Sequence, residues 1–102
     1  MAIESINPAT GEVVKTFEPH TAEEVEQKIA ASNKAFRSWR NVSFVERAQH
    51  MRRQAEILEN EAAHYGRIIS LEMGKPLKDA VAEVKKCSLA CHYYADNAAG
   101  FL

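Results

Sequence analysis

A chain of 102 residues has room for one domain with a modest core. Its 46% hydrophobic and 26% charged residues are ordinary for a soluble globular protein, and a net charge of −1 gives no electrostatic basis for binding nucleic acid or an anionic membrane. No apolar run is long enough to cross a bilayer, and the first residues do not resemble a secretory leader. With two cysteines and no export pattern, we expect free thiols and a cytoplasmic location.

The start of the chain predicts a β-hairpin over about residues 3–17. Ile3–Ile6 and Val13–Phe17 are short β-prone stretches, and the segment between them contains Asn, Pro, Thr and Gly, which favour turns. Gly11 is expected to take the positive φ angle that such a turn needs. Two strands alone are barely stable in water, so the hairpin needs another element to pack on.

Three amphipathic helices are predicted after the hairpin, over about residues 21–40, 43–72 and 76–99. Thr21–Glu24 and Ser43–Glu46 have the capping-box form, a hydroxyl residue followed three positions later by glutamate, so each marks a helix start. Apolar residues then recur at steps of three and four, which places them on one core-facing side of each helix. In the first helix this side consists of Val25, Ile29, Ser32, Phe36 and Trp39. The predicted fold class is α+β, a hairpin followed by three helices.

The segment from Glu72 to Pro76 separates the second and third helices. Gly74 is expected to end one helix in the left-handed conformation, and Pro76 suits the start of the next. Continuing the apolar stripe of the second helix leads to Glu72, a carboxylate at a helix C-terminus, where the helix dipole disfavours negative charge. Either this helix end is solvated, or a cation lies beside Glu72. Gly100 is expected to mark the end of the third helix.

Cys87, Cys91 and His92 form the one cluster of soft ligands in the sequence. A structural zinc site needs four ligands, and here two cysteines share a helix face while the histidine points away from them. Small buried cysteines are common in helix interfaces. We therefore expect both cysteines to be buried packing residues, and neither to be a metal ligand or a nucleophile.

A basic run on the second predicted helix contains Arg47, His50, Arg52 and Arg53. Nearby glutamates balance its charge, which favours a solvated helix face with pairs at i,i+4 spacing. Lys75 follows a glycine, as in a phosphate-binding loop, but the upstream glycine of that motif is missing. No dinucleotide, nucleophile-elbow or zinc-protease motif is found in the sequence.

Several short motifs along the whole chain resemble, in order, those of the NAD(P)-dependent aldehyde dehydrogenases. They are Ile6–Val13, Ala35-Phe36 with Trp39-Arg40, Glu46-Arg47-Ala48 and Glu72–Pro76. The tail is similar to the succinate-semialdehyde dehydrogenase branch, through Glu83-Val84, Lys86-Cys87, Cys91 and Tyr93-Tyr94-Ala95. Residues 1–102 are thus identified as the N-terminal part of an aldehyde dehydrogenase domain.

This resemblance implies a parent enzyme several times longer, acting on a small aldehyde, succinic semialdehyde in this branch. The parent would form a thiohemiacetal on a cysteine and transfer hydride to NAD or NADP. In the family, the catalytic cysteine, general-base glutamate, oxyanion asparagine and nucleotide-binding residues all lie downstream of this segment. We therefore expect no catalytic and no cofactor-binding residue here, and Cys87 and Cys91 correspond to helix positions rather than to the nucleophile.

The resemblance also implies a monovalent cation site. Some family members bind Na+ or K+ through main-chain carbonyls of the first strand and an acid before the Gly-Lys-Pro motif, and the corresponding positions here are Ser5, Ile6 and Glu72. Oxygen ligands of this kind suit a hard cation. Such a cation would explain the carboxylate on the apolar stripe.

Two functional hypotheses follow. In the first, the chain is scaffold in a homo-oligomeric aldehyde dehydrogenase. It packs against the remainder of that enzyme and is inactive alone. The apolar pair Phe101-Leu102 at the end of the sequence favours this hypothesis. In the second, it is a stand-alone helical interaction module, or a truncated paralogue that associates with a full-length enzyme. Under the first, apolar stripes lack their cover, so the isolated chain is expected to be sticky or self-associated.

Overall fold

The computed structural model describes residues 2–102 and contains a two-stranded hairpin followed by four helices. The elements are β1 (Ile3–Ile6), β2 (Val13–Phe17), α1 (Ala22–Trp39), α2 (Phe44–Asn60), α3 (Ala62–Met73) and α4 (Leu77–Phe101). The predicted combination of a hairpin with amphipathic helices is confirmed. Within the described residues, no helix is both long enough and apolar enough to span a bilayer.

The hairpin is antiparallel and is closed by the turn that its composition predicts. Ile3 pairs with Phe17 at the open end, and a register irregularity lies between Ser5 and Ile6. At the closed end, the Gly11 N–H donates to the Asn7 carbonyl at 2.8 Å. Gly11 has a φ of 75°, as predicted, because this position needs a conformation that side chains with a Cβ disfavour.

The second predicted helix, residues 43–72, is two helices, so the prediction of one continuous helix was wrong. The backbone leaves helical geometry at Glu61, where φ is −109° and ψ is 21°. The Glu61 N–H still donates to the Ile57 carbonyl, and the Glu61 carbonyl still accepts from the Tyr65 N–H. Both α2 and α3 pack on α4 but make little contact with each other. The break therefore lets two successive helices lie against one longer helix.

Helix α4 is longer than the predicted 76–99 and passes through Gly100 to Phe101. The Leu102 N–H donates to the Ala98 carbonyl at 3.1 Å, so the hydrogen-bond ladder continues past the glycine. A helical glycine is tolerated at about 1 kcal/mol relative to alanine, and this amount does not end a helix that packs along most of its length. Pro76 lies just before the first turn, as its N-cap residue.

The core between α4 and the pair α2 and α3 is built from small side chains. Its buried members are Ala55, Ala62, Gly66, Ala80, Val84, Ser88 and Ala95. The Ser88 hydroxyl, 1% exposed, donates to the Ala55 carbonyl at 2.9 Å across the interface. A Cβ placed on Gly66 would lie 2.7 Å from Val81 Cγ2, so α3 and α4 approach too closely there for any side chain.

Helix α1 stands apart from this core. None of its residues is buried, and it makes no extensive contact with another element among residues 2–102. Its predicted core-facing residues are exposed, Ile29 by 58% and Phe36 by 57%. The helix and its apolar face are as predicted, and that face is exposed to solvent in this chain. The radius of gyration, 17.8 Å, exceeds the roughly 13 Å of a compact domain of this length.

Candidate functional site

The hairpin meets the end of α3 at one corner of the molecule, and this corner contains the predicted cation-site residues. The Ser5 hydroxyl on β1 donates to Glu72 Oε1 at 2.9 Å. Gly74 ends α3 in the left-handed conformation, with φ 70°, and its N–H donates to the Ser70 carbonyl. A Cβ at Gly74 would lie 3.0 Å from Pro8 Cγ in the hairpin turn. Gly74 thus ends the helix, and because it has no side chain the hairpin turn can pack closely against this helix end.

The sequence left open whether the helix end at Glu72 is solvated or has a cation beside it, and the structure answers the first of these. This helix end is solvated, because Glu72 is exposed, and its carboxylate also accepts the Ser5 hydroxyl. Ile6 follows Ser5 at the register irregularity of the hairpin. The observed contact at the corner joins one hydroxyl and one carboxylate, and oxygen atoms of this kind are the ligands that hard cations prefer. Across the described chain, no three His, Cys, Asp or Glu side chains converge as a multivalent metal centre would require.

Lys75 is engaged in an ion pair beside this corner. Its Nζ lies 2.7 Å from Glu83 Oε2 on the next helix. The hydrogen bond and the negative charge of Glu83 raise the pKa of Lys75, so it stays protonated. A lysine held in this way joins the α3–α4 connection to α4 and has the wrong charge state for a general base.

The burial of the two cysteines differs from the prediction. Cys87 is exposed and Cys91 half-buried, and both are free thiols. The expectation that both are buried was wrong for Cys87, because the buried seam of α4 runs through Ser88, and the next side chain along a helix points about 100° away. Neither cysteine belongs to a cluster of three metal-ligating side chains within residues 2–102.

The basic run on α2 divides between solvent and structural contacts. Arg52 pairs with Asp96 of α4 at 3.0 Å, and Arg53 pairs with Glu56 on its own helix at 3.6 Å. Arg47, predicted to lie on a solvated face, is half-buried, and its guanidinium donates to the carbonyl oxygens of Trp39 and Val42. The sequence did not predict these two hydrogen bonds of Arg47, because helical periodicity does not identify an arginine that binds carbonyl oxygens at and just after the end of the preceding helix.

Residues 1–101 match the family model described as "Aldehyde dehydrogenase family", and the chain belongs to that family. Over all 102 residues it is 44% identical to a probable succinate-semialdehyde dehydrogenase [NADP(+)] of Synechocystis and 45% identical to succinate-semialdehyde dehydrogenase [NADP(+)] 1 of Mycobacterium tuberculosis. Among solved structures, a putative aldehyde dehydrogenase from Burkholderia cenocepacia superposes on 94% of the chain with a TM-score of 0.84 at 27% identity.

The chain spans about a fifth of the length of these proteins. It covers 22% of each of the two sequence relatives and 20% of the Burkholderia chain. The match therefore assigns the fragment to a region of the aldehyde dehydrogenase fold. The activity of such an enzyme belongs to a longer polypeptide.

Proposed function

We propose that this chain is the N-terminal scaffold of an aldehyde dehydrogenase that oxidises succinic semialdehyde to its carboxylic acid with NAD(P)+. The observation that carries the proposal is the match over residues 1–101 to the family, together with relatives named for this substrate and for NADP(+). NADP+ is the favoured hydride acceptor for the same reason. As in the family that the sequence resembles, we place the enzyme in the cytoplasm as a homo-oligomer.

In this proposal the chain supplies no reacting group. Cys87, the exposed thiol, has no hydrogen-bonded base among the contacts of the described residues, and a catalytic thiol is normally paired with such a base. Lys75 is paired with Glu83. NAD(P)+, bound by downstream residues, would accept the hydride, while the helices α2–α4 and the hairpin would provide a surface on which the cofactor-binding part packs.

The exposed apolar side chains support a scaffold role. Ile3 and Val13 of the hairpin are about half exposed, as are Val25 and Phe36 of α1. Val25 and Phe36 lie on one side of α1 at helical spacing, and an exposed apolar helix face supports the inference that another protein segment covers it. In the full enzyme, the remaining four-fifths of the polypeptide would provide that cover.

A chimera tests this proposal. The first 102 residues of the Synechocystis relative are replaced by this chain, and NADP+ reduction is measured with succinic semialdehyde. We expect the chimera to be active and the isolated chain to be inactive, because the scaffold has only to position downstream residues. A matched chimera carrying Gly66→Leu is expected to lose activity, because no side chain fits between α3 and α4 at Gly66.

Two results of this experiment count against the proposal. Oxidation of the aldehyde by the isolated chain would show that the chain has reacting groups of its own. A chimera that folds and binds NADP+ but does not oxidise the aldehyde would show that this segment is not equivalent to the scaffold of the relative.

We further propose that the corner of Ser5, Ile6 and Glu72 binds a monovalent cation, Na+ or K+, in the full enzyme. The 2.9 Å contact between Ser5 and Glu72 supports this assignment, since it brings the first strand to the only carboxylate of the predicted set. In the chimera, added K+ or Na+ should raise the melting temperature, and Glu72→Gln should abolish that rise. Glu59→Gln, which removes an exposed carboxylate of α2 outside the corner, is the matched control and should leave that rise unchanged. Equal salt dependence in the chimera and its Glu72→Gln variant would remove the site.

A further inference from the structure

The connection between α1 and α2, residues 40–43, is bridged by one side chain of α2. Arg47, in the first turns of that helix, donates through Nε to the Val42 carbonyl at 3.1 Å and through Nη2 to the Trp39 carbonyl at 2.9 Å. Trp39 is the last residue of α1, and Val42 directly precedes the N-cap residue of α2. The guanidinium therefore holds the two ends of the connection together.

The same guanidinium also contacts the aromatic side chains at this junction. Its central carbon lies 5.4 Å from the centroid of the Trp39 ring and 5.9 Å from that of the Phe44 ring, both within the range of a cation–π contact. The Trp39 ring in turn lies 5.6 Å from the His50 ring, at an angle of 49°. The end of α1 thus contacts the first turns of α2 through its backbone and through its side chain, and Arg47 takes part in both kinds of contact.

The charge of Arg47 suits the end of α1 rather than the start of its own helix. The dipole of α2 disfavours a cation near its N-terminus, whereas the dipole of α1 favours one at its C-terminus. The Trp39 carbonyl is one of the last four of α1, which lack partners within the helix, and it accepts from the Val42 N–H at 3.0 Å as well as from Arg47. Because Arg47 is half-buried, solvent screens its charge less than it screens that of an exposed arginine.

We propose that Arg47 is the positioning residue of α1, the side chain that sets the direction in which α1 leaves the core of α2, α3 and α4. No residue of α1 is buried, and α1 makes no extensive contact with another described element, so packing along its length does not set this direction. The direction is set instead by the contacts at the junction, which Arg47 connects. All of these partners lie within residues 39–50, so the inference does not depend on what covers the apolar side of α1.

Lysine cannot replace arginine in this role. The guanidinium is planar and carries its N–H groups in a fixed fork, so Nε and Nη2 reach two carbonyl oxygens while the group also lies over the Trp39 ring. The ammonium group of lysine keeps the charge but is a single point on a flexible stem. Arg47→Lys therefore separates the proposed role from a simple charge effect, which lysine would preserve.

The distance between α1 and α4 in the 102-residue chain tests the proposal by double electron–electron resonance. Spin labels are attached at Cys87, which is exposed, and at Gln27→Cys on α1, with Cys91→Ala so that each chain carries two labels. Labelled chain is diluted into unlabelled chain, so that distances between copies do not contribute. We expect one narrow distance distribution in the unsubstituted chain and a broadened one in Arg47→Lys and in Arg47→Met, because α1 then samples several directions. Arg53→Lys, which alters an exposed arginine paired on its own helix, is the matched control and should leave the distribution narrow.

Hydrogen exchange separates this role from support of the core. Arg47→Lys should speed exchange of the Asn41 and Val42 amides about tenfold, since it removes a charged hydrogen bond from the connection, and should leave exchange in α3 and α4 unchanged. Two results overturn the proposal. One is a distance distribution that stays narrow in both Arg47 variants. The other is faster exchange or lost helix content throughout α2, α3 and α4, which would show that Arg47 stabilises the core instead.

The consequence for an enzyme rests on the proposed function. In the scaffold, the direction of α1 decides where the remaining polypeptide meets it, so Arg47→Lys should lower the melting temperature of the active chimera and Arg53→Lys should not. If the unsubstituted chimera is inactive, the proposed function fails, and the distance measurement still decides the role of Arg47. If the chimera is active and both variants melt at its temperature, the direction of α1 does not matter to the enzyme and this consequence is refuted.

Discussion

The close approach of α3 and α4 gives the sharpest prediction of the effect of a single methyl group. Gly66 of α3 faces Val81 of α4, and a Cβ at position 66 would lie 2.7 Å from Val81 Cγ2, 3.1 Å from its N and 3.2 Å from its Cα. Two of these three atoms belong to the backbone of a helix. The third is on a β-branched side chain that has one strongly preferred rotamer in helices, so it cannot swing away. Gly66→Ala must therefore push the helices apart.

The magnitude follows from two opposing terms. Alanine is favoured over glycine inside a helix by about 1 kcal/mol. Overpacking by one carbon costs roughly 1–3 kcal/mol, and the rigid surroundings of Gly66 put this substitution at the upper end. We expect Gly66→Ala to lower the stability of the α3–α4 pair by a net value of about 2 kcal/mol, which corresponds to about 30-fold faster exchange of the protected amides in these helices.

Hydrogen exchange followed by mass spectrometry measures this effect, and the chain provides two controls. Gly100→Ala, with nothing within 4 Å of its Cβ, should instead slow exchange, by up to about 1 kcal/mol in stability. In a Val81→Ala background, Gly66→Ala should be at least about 1 kcal/mol less harmful, because the nearest contact is gone. If Gly66→Ala stabilises the chain as much as Gly100→Ala does, the close approach of α3 and α4 is wrong.

Three further predictions concern hydrogen bonds and backbone geometry elsewhere in the chain. Ser88→Ala removes the bond to the Ala55 carbonyl and should cost about 1 kcal/mol in urea unfolding, and an unchanged midpoint would contradict it. Gly74→Ala, at a φ of 70° and against the prolyl ring of the hairpin, should cost about 1–2 kcal/mol in the same assay, and no loss would disprove the left-handed cap. The Thr21 backbone N–H, which donates to Glu24, lowers the pKa of Glu24, so the stabilisation of α1 is present above the unfolded pKa and is lost as pH falls through the lower folded pKa. Circular dichroism should show α1 losing helix content at acidic pH, and Glu24→Gln should remove that dependence; an identical pH profile in the variant would count against it.

Local features of this fold could be predicted from the sequence because local chemistry determines them. The hydrogen bond that the Glu24 N–H donates to the Thr21 hydroxyl oxygen and the positive φ angles of Gly11 and Gly74 are present as expected. Each depends on residues within one turn of each other. The break at Glu61 could not be predicted, because the apolar periodicity runs through it and the reason for the break is the shared packing of α2 and α3 on α4.

Burial was less predictable than secondary structure. The spacing of Val25, Ile29 and Phe36 identifies an apolar face but does not say which segment covers it, and no other described element packs extensively on that face. The contact between Ser5 and Glu72 joins residues 67 positions apart, so periodicity could not pair them. Only the family resemblance predicted that these two residues share a site, because the known family contains information on tertiary contacts that a single sequence lacks.

The central claim is that this segment belongs to a longer aldehyde dehydrogenase, and the size of the native polypeptide tests it most directly. An antibody raised against the 102-residue chain is used on a denaturing gel of extract from the cells that make the protein. We predict one band at four to five times 11.4 kDa, since the chain covers 22% of its relatives. A band at 11.4 kDa itself would contradict the claim and would favour a short interaction module.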